Sequence, residues 1–92
     1  MKHYLALTLR TPQFDPSVIK AHYSHLEALK VRGALEAFGP FTDKSGGAYL
    51  IRADSLEQAR AMAFADPVYV TGSSEVSVRE WDFKYVVQAQ EA

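Results

Sequence analysis

Residues 35–53, LEAFGPFTDKSGGAYLIRA, decide the fold. Two short apolar runs, Leu35 to Phe41 and Ala48 to Ala53, flank a cluster of turn formers, Thr42-Asp43-Lys44-Ser45-Gly46-Gly47. Two such runs joined through Asp and Gly read as a β-hairpin, with Gly39-Pro40 bounding the first strand. The hairpin lies between two segments that carry helix signals. Upstream, Asp15 is a candidate N-cap and Pro16 suits the first helical position. Gly33 is placed to follow the last helical turn, so a helix is expected to run to about Arg32. Downstream, Ser55 and Gln58 form a capping-box pair. The helix they open is expected to stop near Asp66, because Pro67 disfavours helical geometry in the residue before it. His3 to Leu9 alternates Leu5, Leu7 and Leu9 with Tyr4, Ala6 and Thr8, and Ser74 to Phe83 supplies a last strand.

The resulting order, βαββαβ, implies an α+β fold of ferredoxin-like architecture: a four-stranded antiparallel sheet with two helices on one face. The other face is then left open, yet neither face is very polar. Tyr49 and Ile51 oppose Ala48 and Leu50, while Val76 and Val78 have the opposite parity to Trp81, Phe83 and Tyr85. Both faces want cover, which predicts a homodimer packed through its sheet faces. The plainer alternative is a monomer whose Tyr and Thr side chains tolerate exposure.

Composition narrows the function classes. Ninety-two residues make one domain, 1–92, with 84–92 as a C-terminal tail. Apolar residues are 48% and charged residues 23%, which excludes a disordered chain. Ten Lys and Arg against eleven Asp and Glu give a net charge of −1, so no nucleic-acid partner is expected. There is no cysteine, which removes disulfides, thiolate metal sites and cysteine nucleophiles. No stretch approaches the ~18 apolar residues of a membrane span. Arg10 interrupts the N-terminal apolar run too early for a signal peptide, so the expected location is cytoplasmic.

The first helix carries an anomaly. At 3.6 residues per turn, Val18, Ile19, Leu26 and Leu29 form an apolar stripe and Lys20, Ser24 and Glu27 lie opposite. His22 falls in the middle of that stripe and His25 on its edge. A titratable ring in mid-stripe must find a partner or line a cavity. The plain reading is a core histidine satisfied by a backbone carbonyl. In the second helix, Leu56, Ala59 and Ala63 face inward, and the next position on that face is Asp66. An acid there is either a simple helix stop before Pro67 or the acceptor that fixes a histidine's tautomer. Helices on one face of a sheet are neighbours, so His22 and Asp66 are placed to meet. His22-x-x-His25 with a carboxylate could hold a divalent metal, but two-His patterns are common by chance and no metal is expected. Ser45-Gly46-Gly47 matches no phosphate-loop pattern and serves the hairpin turn. Arg10, at the end of the first strand, either pairs with an anionic ligand or is solvated.

Four segments also resemble the YciI-like (YCII-related) family of dimeric α+β barrel proteins. They are His22 through Leu26 and Leu29 to Gly33; Gly39-Pro40-Phe41; Ala53-Asp54-Ser55-Leu56-Glu57-Gln58-Ala59 through Ala65-Asp66-Pro67 to Gly72; and Val76-Ser77-Val78-Arg79-Glu80-Trp81. They span nearly the whole chain in the family's order. The resemblance implies a ferredoxin-like protomer that dimerises sheet to sheet, and a pocket holding a His–Asp pair. The histidine carries over to His22, which keeps the spacing to Gly33, and the aspartate to Asp66. The segment from Gly72 to Val76 is about a residue short against the family pattern, which bears on the pocket rim, where Tyr69 is expected to contribute. Similar proteins include a dehydrochlorinase of chlorinated hydroxyquinols and muconolactone isomerases.

Together these readings point to a small-molecule lyase or isomerase. His22 would act as general acid/base, Asp66 would orient it, and Arg10, His25 and Tyr69 would bind substrate in a deep barrel pocket. No organic cofactor is called for. The alternatives are a non-catalytic dimeric ligand-binding or regulatory module, and a purely structural His–Asp pair.

Overall fold

The computed structural model describes residues 1–86 of the chain. Of the expected tail, residues 87–92 lie outside the described residues. The elements are β1 (Lys2–Arg10), α1 (Val18–Val31), β2 (Leu35–Pro40), β3 (Gly46–Ala53), α2 (Leu56–Phe64), α3 (Pro67–Val70) and β4 (Ser74–Glu80). The strands form one sheet in the order β2-β3-β1-β4, each neighbour antiparallel. This is the ferredoxin-like α+β arrangement expected from the element order.

Local chemistry sets the boundaries. Gly33 adopts φ +76°, a conformation that costs glycine little. It closes α1 with a pair of bonds: Gly33 N–H donates to Lys30 O at 2.9 Å and Ala34 N–H to Leu29 O at 2.9 Å. At the other end, Asp15 is not the N-cap: it accepts Ser17 N–H at 2.9 Å in a separate turn, and Ser17 precedes the helix without a side-chain capping bond. Regular helix therefore starts at Val18, two residues after Pro16. Gln58 N–H donates to Ser55 Oγ at 3.1 Å, and Gln58 Oε1 accepts from Asp54 N–H at 2.7 Å. That return bond reaches one residue further upstream than in the usual capping box. The last strand ends at Glu80, short of Phe83, although Trp81 N–H still donates to His3 O at 2.9 Å. The short helix α3 was not foreseen, because four residues are too few to show a period.

The helices cover the face that carries Tyr4, Ala6 and Thr8 of β1, Tyr49, Ile51 and Ala53 of β3, and Val78 of β4. These pack with Leu26 and Leu29 of α1 and with Ala59, Met62 and Ala63 of α2 into one core. The opposite face has no helix. It presents Leu5, Leu7, Leu9 and Leu50, bordered by Glu36, which lies 3.5 Å from His3 Nε2 and 3.6 Å from Arg52 Nε. Thus the smaller and more polar set of β1 side chains faces the helices, and the leucines face out. No helix among the described residues is long and apolar enough to cross a membrane.

One close approach fixes the end of the sheet beneath α1. Gly46 and Gly47 pass over Thr8 so tightly that a Cβ on Gly46 would lie 1.9 Å from the Thr8 carbonyl oxygen. Thr8 Oγ1 accepts from Gly47 N–H at 3.1 Å and donates to Gly47 O at 3.2 Å. The glycines that turn the hairpin therefore also build a floor.

Candidate functional site

Above that floor, α1, α3 and β3 bring three polar side chains together. His22 lies on the inward side of α1, between buried Val18 and Leu26. Asp66 is the N-cap of α3, its extended backbone leading into Pro67 at the first helical turn, and its Oδ1 accepts Val68 N–H at 3.0 Å. His22 Nδ1 lies 2.9 Å from Asp66 Oδ1 and 2.7 Å from Oδ2. The Tyr49 hydroxyl, rising from β3, donates to Asp66 Oδ2 at 3.0 Å. The expected helix stop and the expected histidine partner are thus the same carboxylate doing both things.

Asp66 is completely buried (0% exposed). Burying a carboxylate costs several kcal/mol unless it is well bonded, and here an imidazole, a phenol and a backbone N–H all point at it. Burial first, then the charge of Asp66 and the bond to it, push the Tyr49 phenol well above its usual pKa. Tyr49 therefore remains a donor through the whole neutral range. A carboxylate accepts, so Nδ1 of His22 carries the proton of this bond. That leaves Nε2 as the free nitrogen. The His22 side chain is 18% exposed, and none of the buried side-chain nitrogens and oxygens among the described residues lacks a partner. Nε2, which makes no hydrogen bond to the described residues, is therefore open to solvent.

The ring borders a cavity of about 80 Å³ whose wall includes Thr8, Arg10, Phe14, Tyr23, Phe38 and Tyr49. His22 packs obliquely on Tyr23, centroids 5.2 Å apart, and Tyr23 meets Phe38 edge-on at 6.2 Å. The cavity is between the helix layer and the sheet. This cavity lies on the helix side of the sheet, the side opposite to the one through which a sheet-to-sheet dimer would pack. The reason is strand parity: Thr8, Arg10 and Tyr49 share the face that α1 covers.

The other sequence-level candidates separate. Arg10 lines the cavity, its guanidinium carbon 4.1 Å from the Phe14 ring centroid. His25 does not line it; Nε2 of His25 bonds Met62 O at 2.9 Å and ties α1 to α2. The two imidazoles of α1 are thus directed to different partners. Tyr69 does not line it either. It stacks on Phe64 at 4.5 Å and 24° on the outer side of α3. Sequence reasoning passed over Tyr49, Phe14, Tyr23 and Phe38. For Tyr49 a signal existed, a lone hydroxyl on a strand face otherwise made of Ile51 and Ala53.

Residues 3–82 match the YCII-related domain family. Among curated proteins, the uncharacterised protein YjpA of Bacillus subtilis (strain 168) is 46% identical over 84 residues, covering 91% of this chain and 99% of that one. Among solved structures, 5-chloro-2-hydroxyhydroquinone dehydrochlorinase from Burkholderia phenoliruptrix AC1100, in complex with 2,5-dihydroxybenzoquinone, superposes with a TM-score of 0.71. Its sequence is 20% identical, and the match covers 89% of this chain and 95% of that one. At that identity the likeness is one of fold.

Proposed function

This chain belongs to the YCII-related domain family, and we propose that it is a cytoplasmic, homodimeric enzyme of lyase or isomerase type acting on a small cyclic substrate. The observation that carries this reading is the His22 ring, bonded through Nδ1 to a buried carboxylate and open at Nε2 beside a cavity. Orienting a histidine through one nitrogen while freeing the other is how a general base is prepared. Nε2 takes a proton from an acidic C–H or O–H of the substrate. The electron pair left behind forms a double bond as a leaving group departs, or shifts to a neighbouring atom that Nε2 then reprotonates. Asp66 stabilises the imidazolium formed meanwhile, and Tyr49 and the Val68 N–H keep Asp66 in place. Proton transfer of this kind contributes about 10²–10⁴-fold, so the cavity must supply the rest by positioning.

The similarity in fold to a dehydrochlorinase solved with 2,5-dihydroxybenzoquinone supports a cyclic, enolisable substrate. The leucine face of the sheet supports a dimer, since Leu5, Leu7 and Leu9 are exposed or partly exposed there with no helix over them. In this reading Arg10 is a substrate contact, whereas His25 and Tyr69 hold the helices around the site.

The test is turnover of a panel of halogenated hydroxyquinols and unsaturated lactones by the wild type, His22→Ala and His22→Gln. Activity in the wild type and its loss in both variants is expected. Turnover that survives both substitutions removes His22 from the chemistry. Binding without turnover in the wild type leaves the second reading, a non-catalytic ligand-binding module, which the same open nitrogen and cavity would serve.

A further inference from the structure

Arg10 differs from every other residue around the cavity. It is the lining residue with a permanent charge; the remainder are apolar, hydroxyl-bearing, glycine or His22. No carboxylate lines the cavity, and Asp66, the partner of two lining side chains, is buried behind the His22 and Tyr49 bonds. Arg10 forms no ion pair with an acid among the described residues, although six ion pairs occur elsewhere. Arg10 is exposed, but its backbone and the face of its guanidinium are both held. Its backbone N–H donates to Ser45 O at 2.9 Å, and the next residue, Thr11, donates to Ser73 O at 3.0 Å, so the end of β1 is held by loops on both sides. Phe14 is fixed in turn by its N–H bond to Thr11 O at 3.0 Å, and its ring lies under the guanidinium at 4.1 Å. Stacking on an aromatic face uses the flat side of the guanidinium and leaves its in-plane N–H donors available.

We infer that Arg10, stacked on Phe14, is an oxyanion receptor, and that the cavity takes a flat ring compound carrying a negative charge. The inference rests on the ligand-site reading given above and adds the charge of the ligand. A guanidinium fork matches a carboxylate, or a pair of adjacent ring oxygens sharing one charge, through two parallel hydrogen bonds. Cavity size limits the ring. About 80 Å³ is roughly half of the ~150 Å³ dry cavity that encloses a benzene molecule. A six-membered ring therefore inserts one edge toward His22 and keeps the rest at the rim, where Tyr23 and Phe38 offer aromatic surface and Arg10 meets the charge.

The experiment compares charged rings with uncharged counterparts built on the same ring, the near-isosteric benzoate and benzamide pair separating charge from size. The probes are 2,5-dihydroxybenzoquinone with its dimethyl ether, and 2-hydroxybenzoate with 2-hydroxybenzamide. Binding to the wild type, Arg10→Lys and Arg10→Met is followed by the ring signals of His22 in NMR titrations, with the backbone spectrum reporting that each variant is folded. The expected result is a preference for the anion of each pair by about tenfold or more in the wild type. Arg10→Lys should weaken that preference, Arg10→Met should abolish it, and added salt should reduce it. If both members of each pair move the His22 signals with equal affinity, or the preference persists in Arg10→Met, Arg10 is a solvated cation and the inference is overturned. If none of the four probes moves those signals, the ligand-site reading itself fails, and the inference with it.

Discussion

The Tyr49 hydroxyl and the His22 ring bind the same atom: both reach Asp66 Oδ2, at 3.0 and 2.7 Å. One comes from the sheet and the other from α1, so a single carboxylate oxygen joins the two layers. That oxygen is buried and bonded from both sides.

Removing the phenol exposes this dependence through pH. The folded-state pKa of Tyr49 lies above its unfolded value of about 10. As pH climbs past that value the unfolded chain loses the proton first, so it holds fewer protons than the native state and stability falls with pH. The contribution is complete below pH ~10 and is lost as pH rises toward the folded pKa. Tyr49→Phe deletes this one proton. Its denaturation free energy, measured in urea between neutral and strongly alkaline pH, should be lower at neutral pH by about 1–3 kcal/mol, the cost of an unmet bond to a buried charge. Above pH ~10 it should fall more slowly than the wild type's, by up to about 1.4 kcal/mol per pH unit. Parallel curves would mean that Tyr49 ionises freely in the fold.

The carboxylate also decides which nitrogen of His22 carries its proton. Nitrogen-15 spectra of the neutral ring should show the Nδ1–H tautomer in the wild type. Asp66→Asn keeps the shape but offers an amide that can donate as well as accept, so the ring should divide between tautomers. Turnover, where found, should fall by about 10²–10⁴-fold. The variant should also lose about 1.5–3 kcal/mol of stability, since the bonds to Asp66 are bonds to a charged group. An unchanged tautomer would show that Asp66 does not orient the ring.

Much of this was legible because it is local. Gly33, Ser55 with Gln58, and Gly39-Pro40 act within a few residues of themselves, and the elements begin and end close to where they say. His22 and Asp66 were recognisable as polar groups on inward helical positions, helped by a resemblance that spans the chain. The choice of sheet face was not legible. Alternation divides Leu5 and Leu7 from Tyr4 and Ala6 but is symmetric, and hydrophobicity alone would have sent the leucines inward. What settles it is volume: Ala6 and Thr8 leave room for α1 and its histidine close to the sheet, where Leu side chains would fill the space. Tyr49 as partner of Asp66 likewise needs the third dimension, seventeen residues and two elements apart.

The tight crossing at Gly46 gives a test of the cavity floor. A methyl group there meets backbone, with the Thr8 carbonyl oxygen at 1.9 Å, so β1 and β3 must move apart. Gly46→Ala should destabilise the fold by about 2 kcal/mol or more, with the largest amide shift changes at Thr8, Gly47 and Arg10. Gly39→Ala, on the neighbouring strand, meets no atom within 4 Å and serves as the control. Equal stability of the two variants would mean that the floor is pliable.

The leucine face carries the last prediction. Leu7 stands in the middle of β1, paired with Ala48 on one side and Ser77 on the other, and its side chain points away from the helices. A glutamate there leaves the core untouched. In a monomer, Leu7→Glu would therefore change stability by only a few tenths of a kcal/mol and would not alter the mass. In a dimer packed through this face it places two carboxylates in a dry interface, at several kcal/mol each. Sedimentation equilibrium should give twice the 10.3 kDa chain mass for the wild type and the single-chain mass for the variant. A wild type that sediments as one chain at every concentration would refute the sheet-to-sheet dimer. A variant that stays dimeric would place the contact elsewhere on the protomer.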